Sequence, residues 1–245
     1  MERRDPFLEA EWRHLALFNY EIDPELLEPL VPEGTTLDLW GGRALVSIVG
    51  FMFLDTRLLG VPIPLHASFE EVNLRYYVKR EVGDEVRRGA CFIKEFVPKP
   101  AVSVVARLLY NEPYSNARMD HSHMVMDEDA AASRSLMYSW RKRDWESRME
   151  LSFDGPLNEM APGSEEEFVA EHYWGYTRQR DGGTVEYAVE HPRWEVASAR
   201  DARLVCDVAK VYGEQYVDAL TQAPSSVFYA EGSAVKLYPG VRITP

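Results

Sequence analysis

The chain has 245 residues, 46% of them hydrophobic and 27% charged, an ordinary globular balance. Its 27 Lys and Arg against 40 Asp and Glu leave a formal charge of −13, a surface that repels phosphate backbones and anionic lipid, so neither nucleic acid nor a membrane is an expected partner. Two cysteines, Cys91 and Cys206, are too few for a disulfide framework or a four-thiolate metal site, and a cytoplasmic location is expected.

The N-terminal stretch is charged throughout and does not read as a signal peptide. Arg13 to Tyr20 reads as a strand entering the interior. Asp23-Pro24-Glu25 opens a short helix through Leu30, with Asp at the N-cap and Pro at the first helical position. Thr36 to Trp40, Gly41-Gly42 and Arg43 to Phe53 form a hairpin pattern with a tight turn. The apolar run Ala44 to Leu54 is too short to span a bilayer and is broken by Gly50. Val72, Leu74, Tyr76 and Val78 alternate with Glu71, Asn73, Arg75 and Tyr77, which predicts a strand with two chemically different faces. Val82-Gly83-Asp84-Glu85 turns it into a second strand, Val86 to Phe96.

Pro100 opens a helix with Val102, Val105, Leu108 and Leu109 at helical spacing, ending near Tyr110. Ser164 is the expected N-cap of a helix from Glu165 to Ala170, with Glu167 at the capping-box position. Tyr173 to Arg180 and Thr184 to Glu190 form a hairpin across Asp181-Gly182-Gly183, and Trp194 to Ala199 continues that sheet. Gly213 to Leu220 is a further short helix. Ser226 to Ala230, Glu231-Gly232 and Ser233 to Leu237 form a last hairpin. Sequential hairpins with scattered helices predict an α+β fold built on a large curved antiparallel sheet or barrel. It is expected to be one continuous domain over 1–245, with a candidate split near 155–164.

No dinucleotide, P-loop, zincin or nucleophile-elbow motif is present, and no cofactor is expected. His121 and His123, two apart, face one side of a strand; His172 or His191 would supply a third ligand for a divalent metal. A polar edge strand or loop is the simpler reading, and no metal is expected. The aromatic clusters Tyr138-Ser139-Trp140, Tyr173-Trp174-Gly175-Tyr176 and Phe228-Tyr229 read first as core packing and second as the wall of an apolar ligand pocket.

Polar residues in apolar surroundings mark the candidate site. They are Arg13, then Glu71 with Asn73 and Arg75 at period two, then Lys94 and Lys99 around a strand-to-helix junction. A desolvated lysine beside another cation stays neutral and can form a Schiff base with a ketone. An arginine grips a carboxylate in two-pronged fashion, and a glutamate moves protons. The simpler reading of the same spacing is an interior ion pair of Arg75 with Glu71 and solvated lysines.

Trp12-Arg13-His14-Leu15, Asp23-Pro24-Glu25-Leu26-Leu27 and Glu71-Val72-Asn73-Leu74-Arg75 resemble the uncharacterised YqjF-like proteins. So do Ala106-Arg107-Leu108-Leu109-Tyr110 with Pro113-Tyr114, and Glu171-His172-Tyr173-Trp174-Gly175-Tyr176-Thr177. The resemblance runs over residues 5 to 240, and the family looks like a branch of the acetoacetate decarboxylase-like superfamily. It implies a barrel-like antiparallel sheet around an apolar pocket. It aligns Arg13 with the decarboxylases' arginine, Glu71 with their functional glutamate through Phe69-Glu70-Glu71, and Lys99 of Pro98-Lys99-Pro100 with their Schiff-base lysine. Pro100 stands where a second lysine would activate the first.

Three functions follow as expectations. The leading one is a pocket in which Arg13, Glu71, Asn73, Arg75 and Lys94 hold a small carboxylate- or carbonyl-bearing molecule. The second is a Schiff-base lyase on a keto acid, with Lys99, Glu71 and Arg13 as catalytic residues. The third is a non-catalytic structural or interaction protein. The resemblance also implies a homo-oligomer.

Overall fold

The computed structural model describes residues 5–62, 67–103, 111–126 and 133–243. Its largest element is a 13-stranded sheet. The strands that carry it are β1 (Leu8–Ile22), β2 (Thr36–Leu37), β3 (Ala44–Leu58), β4 (Val61–Pro62), β5 (Phe69–Val82), β6 (Glu85–Val97) and β7 (Tyr114–Asn116). After a second sheet come β11 (Asn158–Glu159), β12 (Trp174–Arg178), β13 (Thr184–Glu190), β14 (Glu195–Ser198), β16 (Ser226–Leu237) and β17 (Val241–Ile243). Seven of them pair in the order β16-β1-β3-β5-β6-β12-β13, and β13 pairs back onto β16, which closes a barrel. Most pairs are antiparallel, as expected. The sheet is nevertheless mixed, because β6 meets β12 and β7 in parallel.

The second sheet is antiparallel and four-stranded, ordered β15-β10-β9-β8: β8 (Arg118–Met126), β9 (Ser133–Lys142), β10 (Trp145–Asp154) and β15 (Asp201–Val205). It packs on the outside of the barrel. Tyr138, Trp140, Leu151 and Phe153 join Phe18, Val46, Ile48, Val72, Leu74 and Phe96 of the barrel's outer face in one apolar cluster. The close approach needs Gly50 of β3, where a Cβ would stand 2.7 Å from the Tyr138 ring and 2.9 Å from the Met149 sulfur. A second cluster lies inside, with Leu15, Leu17, Val49, Phe51, Phe53, Phe69 and Tyr77.

Several local expectations hold at the residue level. Asp23 caps a short helical turn at Pro24–Leu26, accepting from Glu25 N. Ser164 Oγ accepts from Glu167 N at 3.1 Å and caps the helix Glu165–Ala170; the Glu167 carboxylate turns to Gly163 N. The helix at Pro100 begins as expected, but Val105, Leu108 and Leu109 lie outside the described residues.

Two hairpin readings are corrected. Gly41 and Gly42 form the tight turn, both at positive φ, but β2 is two residues long and pairs with β5 instead of β3. Ser226 to Leu237 is one strand, because Gly232, at φ 79°, bends the chain without reversing it. A Cβ there would meet Trp12 O at 2.0 Å, so the bend presses β16 against β1. β14 lies in the same sheet as the β12–β13 hairpin, as expected, and joins it by pairing with β16 and β11.

Bulges control which side chains enter the barrel. In β1 the even-numbered Leu8, Ala10 and Trp12 face in; His14, at φ 55°, is a bulge, and odd-numbered Leu15 and Leu17 follow. In β6, Ala90 and Phe92 face in, Ile93 is the extra residue against the Leu74/Arg75 junction, and Glu95 and Val97 face in after it. One inserted residue moves the rest of a strand to the opposite face.

Candidate functional site

The inner face encloses a cavity of about 270 Å³. Its apolar wall comes from Trp12, Leu15, Val49, Phe51, Phe53 and Phe69 on β1, β3 and β5. Trp12 meets Phe51 and Phe53 edge-on at 5.4 and 5.9 Å, and Phe53 stacks on Phe69 at 4.8 Å. The polar face of β5, which alternation predicted, points inward: Glu71, Asn73 and Arg75 all line the cavity. Opposite them stand Glu95 on β6, whose Cα partner is Asn73, and Glu112 just ahead of β7.

Three buried carboxyl groups therefore converge. Asn73 donates to Glu71 Oε1 at 3.0 Å and the Tyr114 hydroxyl donates to Oε2 at 2.9 Å. Thr177 and the Tyr187 hydroxyl both donate to Glu112 Oε1, at 2.5 and 3.0 Å. Tyr187 fits because Gly175 lies beneath its ring, where a Cβ would stand 2.1 Å from Cζ. Glu95 Oε2 is buried and has no hydrogen-bond partner among the described residues. Burial disfavours charge on all three. It pushes Glu71 up to about 7 against the opposing donors Asn73 and Tyr114 and the Arg75 charge. It pushes Glu112 up to about 7 against Thr177 and Tyr187, with Glu71 adding to the rise. Glu95 goes well above the usual carboxylate range, through burial and then repulsion by Glu112 and Glu71.

His172 lines the same cavity, held between the rings of Tyr77 and Phe168 at 4.5 and 5.1 Å. Its Nε2 lies 3.5 Å from Asp38 Oδ2, a charge contact without hydrogen-bond geometry, and both ring nitrogens are buried with no hydrogen-bond partner among the described residues. Burial lowers its pKa, with Arg75 and Arg88 assisting, although Asp38 pulls the other way. Burial would raise Asp38, but the neighbouring His172 ring and the charge of Arg88, 2.9 Å away, hold it below the ordinary carboxylate range.

The other expected site residues stand elsewhere. Arg13, next to inward-facing Trp12, points away from the cavity and binds Glu11 and the Gly232 carbonyl. Lys94 comes directly after the bulged Ile93 and lies along the outer wall beside Tyr212 and Tyr216. Lys99 is half-buried just ahead of the Pro100 helix and is not part of the lining. The chain's six lysines are 79, 94, 99, 142, 210 and 236, all within the described residues, and none lines the cavity. Glu71 and Arg75 share the cavity, but the Arg75 guanidinium donates to the Tyr77 hydroxyl and the Val169 carbonyl.

His121 and His123 share one face of β8, as their spacing predicted, but the suggested third ligands lie apart from them. His172 is in the barrel, and His191 stacks on Trp194 at 4.3 Å. The neighbour of His123 is His14, ring to ring at 4.3 Å, and His121 binds Glu70. Among the described residues no group of three or more His, Cys, Asp or Glu is arranged to hold a metal ion. No helix among them is long and apolar enough to cross a membrane.

Sequence reasoning missed Glu95, Glu112, Tyr114 and Tyr187. The β5–β6 turn carried a usable signal, since counting back from Val82↔Glu85 reaches Arg75↔Phe92. Without the bulge the same count puts Lys94 opposite Asn73, so it selects the wrong neighbour.

The closed barrel with its outer sheet is the acetoacetate decarboxylase-like fold. An acetoacetate decarboxylase from Legionella pneumophila superposes with a TM-score of 0.65 at 13% identity, covering 100% of this chain and 92% of that one. The enduracididine biosynthesis enzyme MppR complexed with pyruvate gives 0.69 at 12% identity, covering 99% and 92%. The chain belongs to the DUF2071 family, described as an uncharacterized conserved protein, whose pattern matches residues 9–234. The uncharacterized protein YqjF of Bacillus subtilis (strain 168) is 26% identical over 234 residues, covering 93% of this chain and 89% of the relative.

Proposed function

We propose that the barrel cavity binds a small, largely apolar molecule bearing a carbonyl or carboxyl group. One observation carries this reading: an apolar chamber of about 270 Å³ ends in Glu71, Glu95 and Glu112, and its lining contains no lysine. Apolar walls supply area and a few convergent polar groups set orientation, as in small-molecule sites generally. A carboxyl group that keeps its proton is a hydrogen-bond donor, which suits a carbonyl oxygen. Arg75 is the cation in the lining for a carboxylate. The likeness to an enzyme complexed with pyruvate supports a carbonyl ligand in a fold of this kind. The Schiff-base alternative would need Lys99 or Lys94 to reach the cavity, and the placement of both speaks against it.

The test is thermal unfolding with acetoacetate, pyruvate and phenylacetone in millimolar excess, followed by borohydride reduction and intact mass. A ligand present at 100 times its Kd stabilises by about 2.7 kcal/mol, a shift of several degrees. At least one compound is expected to raise Tm, and Glu95→Leu is expected to abolish the rise. No rise with any of them overturns the reading. A reduced adduct that disappears in Lys99→Arg replaces it with the Schiff-base enzyme.

A further inference from the structure

We infer that the cavity is a proton-transfer site for an apolar ketone: His172, oriented by Asp38, removes a proton from the carbon next to the carbonyl, while the Glu95 carboxyl group donates to the carbonyl oxygen. This rests on the binding reading above and names its substrate class and reaction.

The imidazole comes first. An aspartate carboxylate beside Nε2 fixes the proton there and leaves the lone pair on Nδ1. Asp38 Oδ2 lies 3.5 Å from Nε2 and its charge favours the proton on that nitrogen; neither ring nitrogen has a hydrogen-bond partner among the described residues, so Nδ1 keeps its lone pair free. The rings of Tyr77 and Phe168 hold the imidazole in place. Burial keeps it neutral at pH 7, so it is competent as a base. Asp38 acts through His172 and is a positioning residue. The carboxyl group is the second element. Glu95 is 2% exposed, and its Oε2 is a buried polar atom with no hydrogen-bond partner among the described residues. Such an atom is costly unless a ligand completes it. Glu71 and Glu112 are already engaged by Asn73, Tyr114, Thr177 and Tyr187. The bonds to Glu112 both end on Oε1, and of the three carboxyl groups Glu95 is the one with a buried oxygen that lacks a partner among the described residues.

The step balances without a further reactant. The α C–H bond breaks and its proton goes to His172 Nδ1. The C–H electron pair becomes the C=C bond, the carbonyl π pair moves to oxygen, and that oxygen takes the Glu95 proton. Reversal returns one proton to carbon and one to Glu95, so a ketone in heavy water gains deuterium. The aromatic wall of Trp12, Phe51, Phe53 and Phe69 suits an aryl or branched alkyl substituent.

The experiment follows phenylacetone in deuterium oxide by proton NMR, with saturation-transfer difference recorded on the same sample to report binding. Wild-type protein is expected to bind the ketone and to exchange its benzylic protons well above the buffer rate. His172→Gln is expected to bind and to exchange at least about 100-fold more slowly, the ordinary worth of a general base. Glu95→Leu is expected to lose about 100-fold or more, as when an oxyanion donor is removed. Lys99→Ala is expected to match wild type. Circular dichroism checks the folding of each variant, and His172→Phe, which keeps a ring in the stack, replaces His172→Gln should that unfold. Binding without exchange overturns the proton-transfer inference and leaves the binding reading standing. Neither binding nor exchange overturns the inference for this ketone and counts against the binding reading too. Exchange undiminished in the His172 variant overturns the assignment of the base.

Discussion

The two faces of the barrel wall are built from the same strands and are both buried, yet they have opposite chemistry. On β5, Val72, Leu74, Tyr76 and Val78 face outward and Glu71, Asn73, Arg75 and Tyr77 face inward. The outer side is filled by the second sheet, with Trp140, Phe153 and Tyr229 fully buried in it. The inner side keeps open space and puts carboxyl groups beside it. Outside, neutral histidines are held in the sheet interface: His14 and His123 both have lowered pKa values, mainly through burial. Inside, the carboxyl groups have raised pKa values for the same reason. Period-two alternation separates the two chemistries, and the covering sheet decides which of them is the solid core. On β5 it is the apolar face that points away from the barrel axis.

The contrast is broken most severely by emptying the packed side. Trp140→Ala removes a fully buried indole from the sheet interface and is expected to cost about 3–5 kcal/mol, read from urea unfolding. Phe53→Ala borders existing space and is expected to cost clearly less, because part of its surface faces the cavity. Equal losses would mean that the cavity is filled in solution.

Proton linkage gives the next effect, with opposite signs on the two faces. Glu71 and Glu112 ionise near 4.5 in the unfolded chain and at about 7 in the folded one. The folded state then binds more protons, so their contribution to stability is complete below 4.5, is lost as pH rises to 7, and is flat above. One such carboxyl corresponds to a change on the order of 3 kcal/mol. His14 and His123 are lowered from 6.5, so their contribution is complete above 6.5 and is lost as pH falls. The double variant Glu71→Gln with Glu112→Gln should gain stability relative to wild type between pH 4.5 and 7 in denaturant titrations. A difference independent of pH would show that these carboxyl groups are ionised in the fold.

Smaller perturbations sharpen the same picture. Gly175→Ala places a methyl group against Tyr187 and is expected to cost about 1–3 kcal/mol by thermal unfolding, while weakening the hold on Glu112. Ser164→Ala removes the cap of the Glu165–Ala170 helix, for about 1 kcal/mol in the same assay. Lys99→Ala, with its lysine outside the cavity, should change stability by less than about 0.5 kcal/mol and leave ligand binding intact. Loss of binding in that variant would return the lysine to the site.

Much of the fold was legible in the sequence, because alternation and turn residues are local. The polar and apolar faces of β5, the β5–β6 turn, the β12–β13 hairpin and the Ser164 cap could all be read from neighbours within a few positions. The site was legible only in part. Glu71, Asn73 and Arg75 share a face by simple parity, and they do line the cavity. Arg13 and Lys94 were placed by charge and by resemblance; parity sends Arg13 outward, and the bulge at Ile93 sends Lys94 outward. Glu95 was passed over beside Lys94, since nothing in Phe92-Ile93-Lys94-Glu95-Phe96 marks Ile93 as an extra residue. Glu112 and Tyr187 lie 75 residues apart and meet only through the barrel's closure.

By itself, the sequence determined an acidic α+β chain of hairpins in which one strand carries Glu71, Asn73 and Arg75 on a single face. Those features depend on side-chain period and on turn geometry, which a short segment carries within it. Tertiary structure alone decided that β13 closes onto β16 and that the second sheet covers the apolar face. It alone decided that a bulge turns Glu95 inward and Lys94 outward. Pairing partners and bulges are settled by whole-sheet hydrogen bonding and by packing between distant segments. The character of the cavity, with carboxyl groups and no lysine, is set at that level.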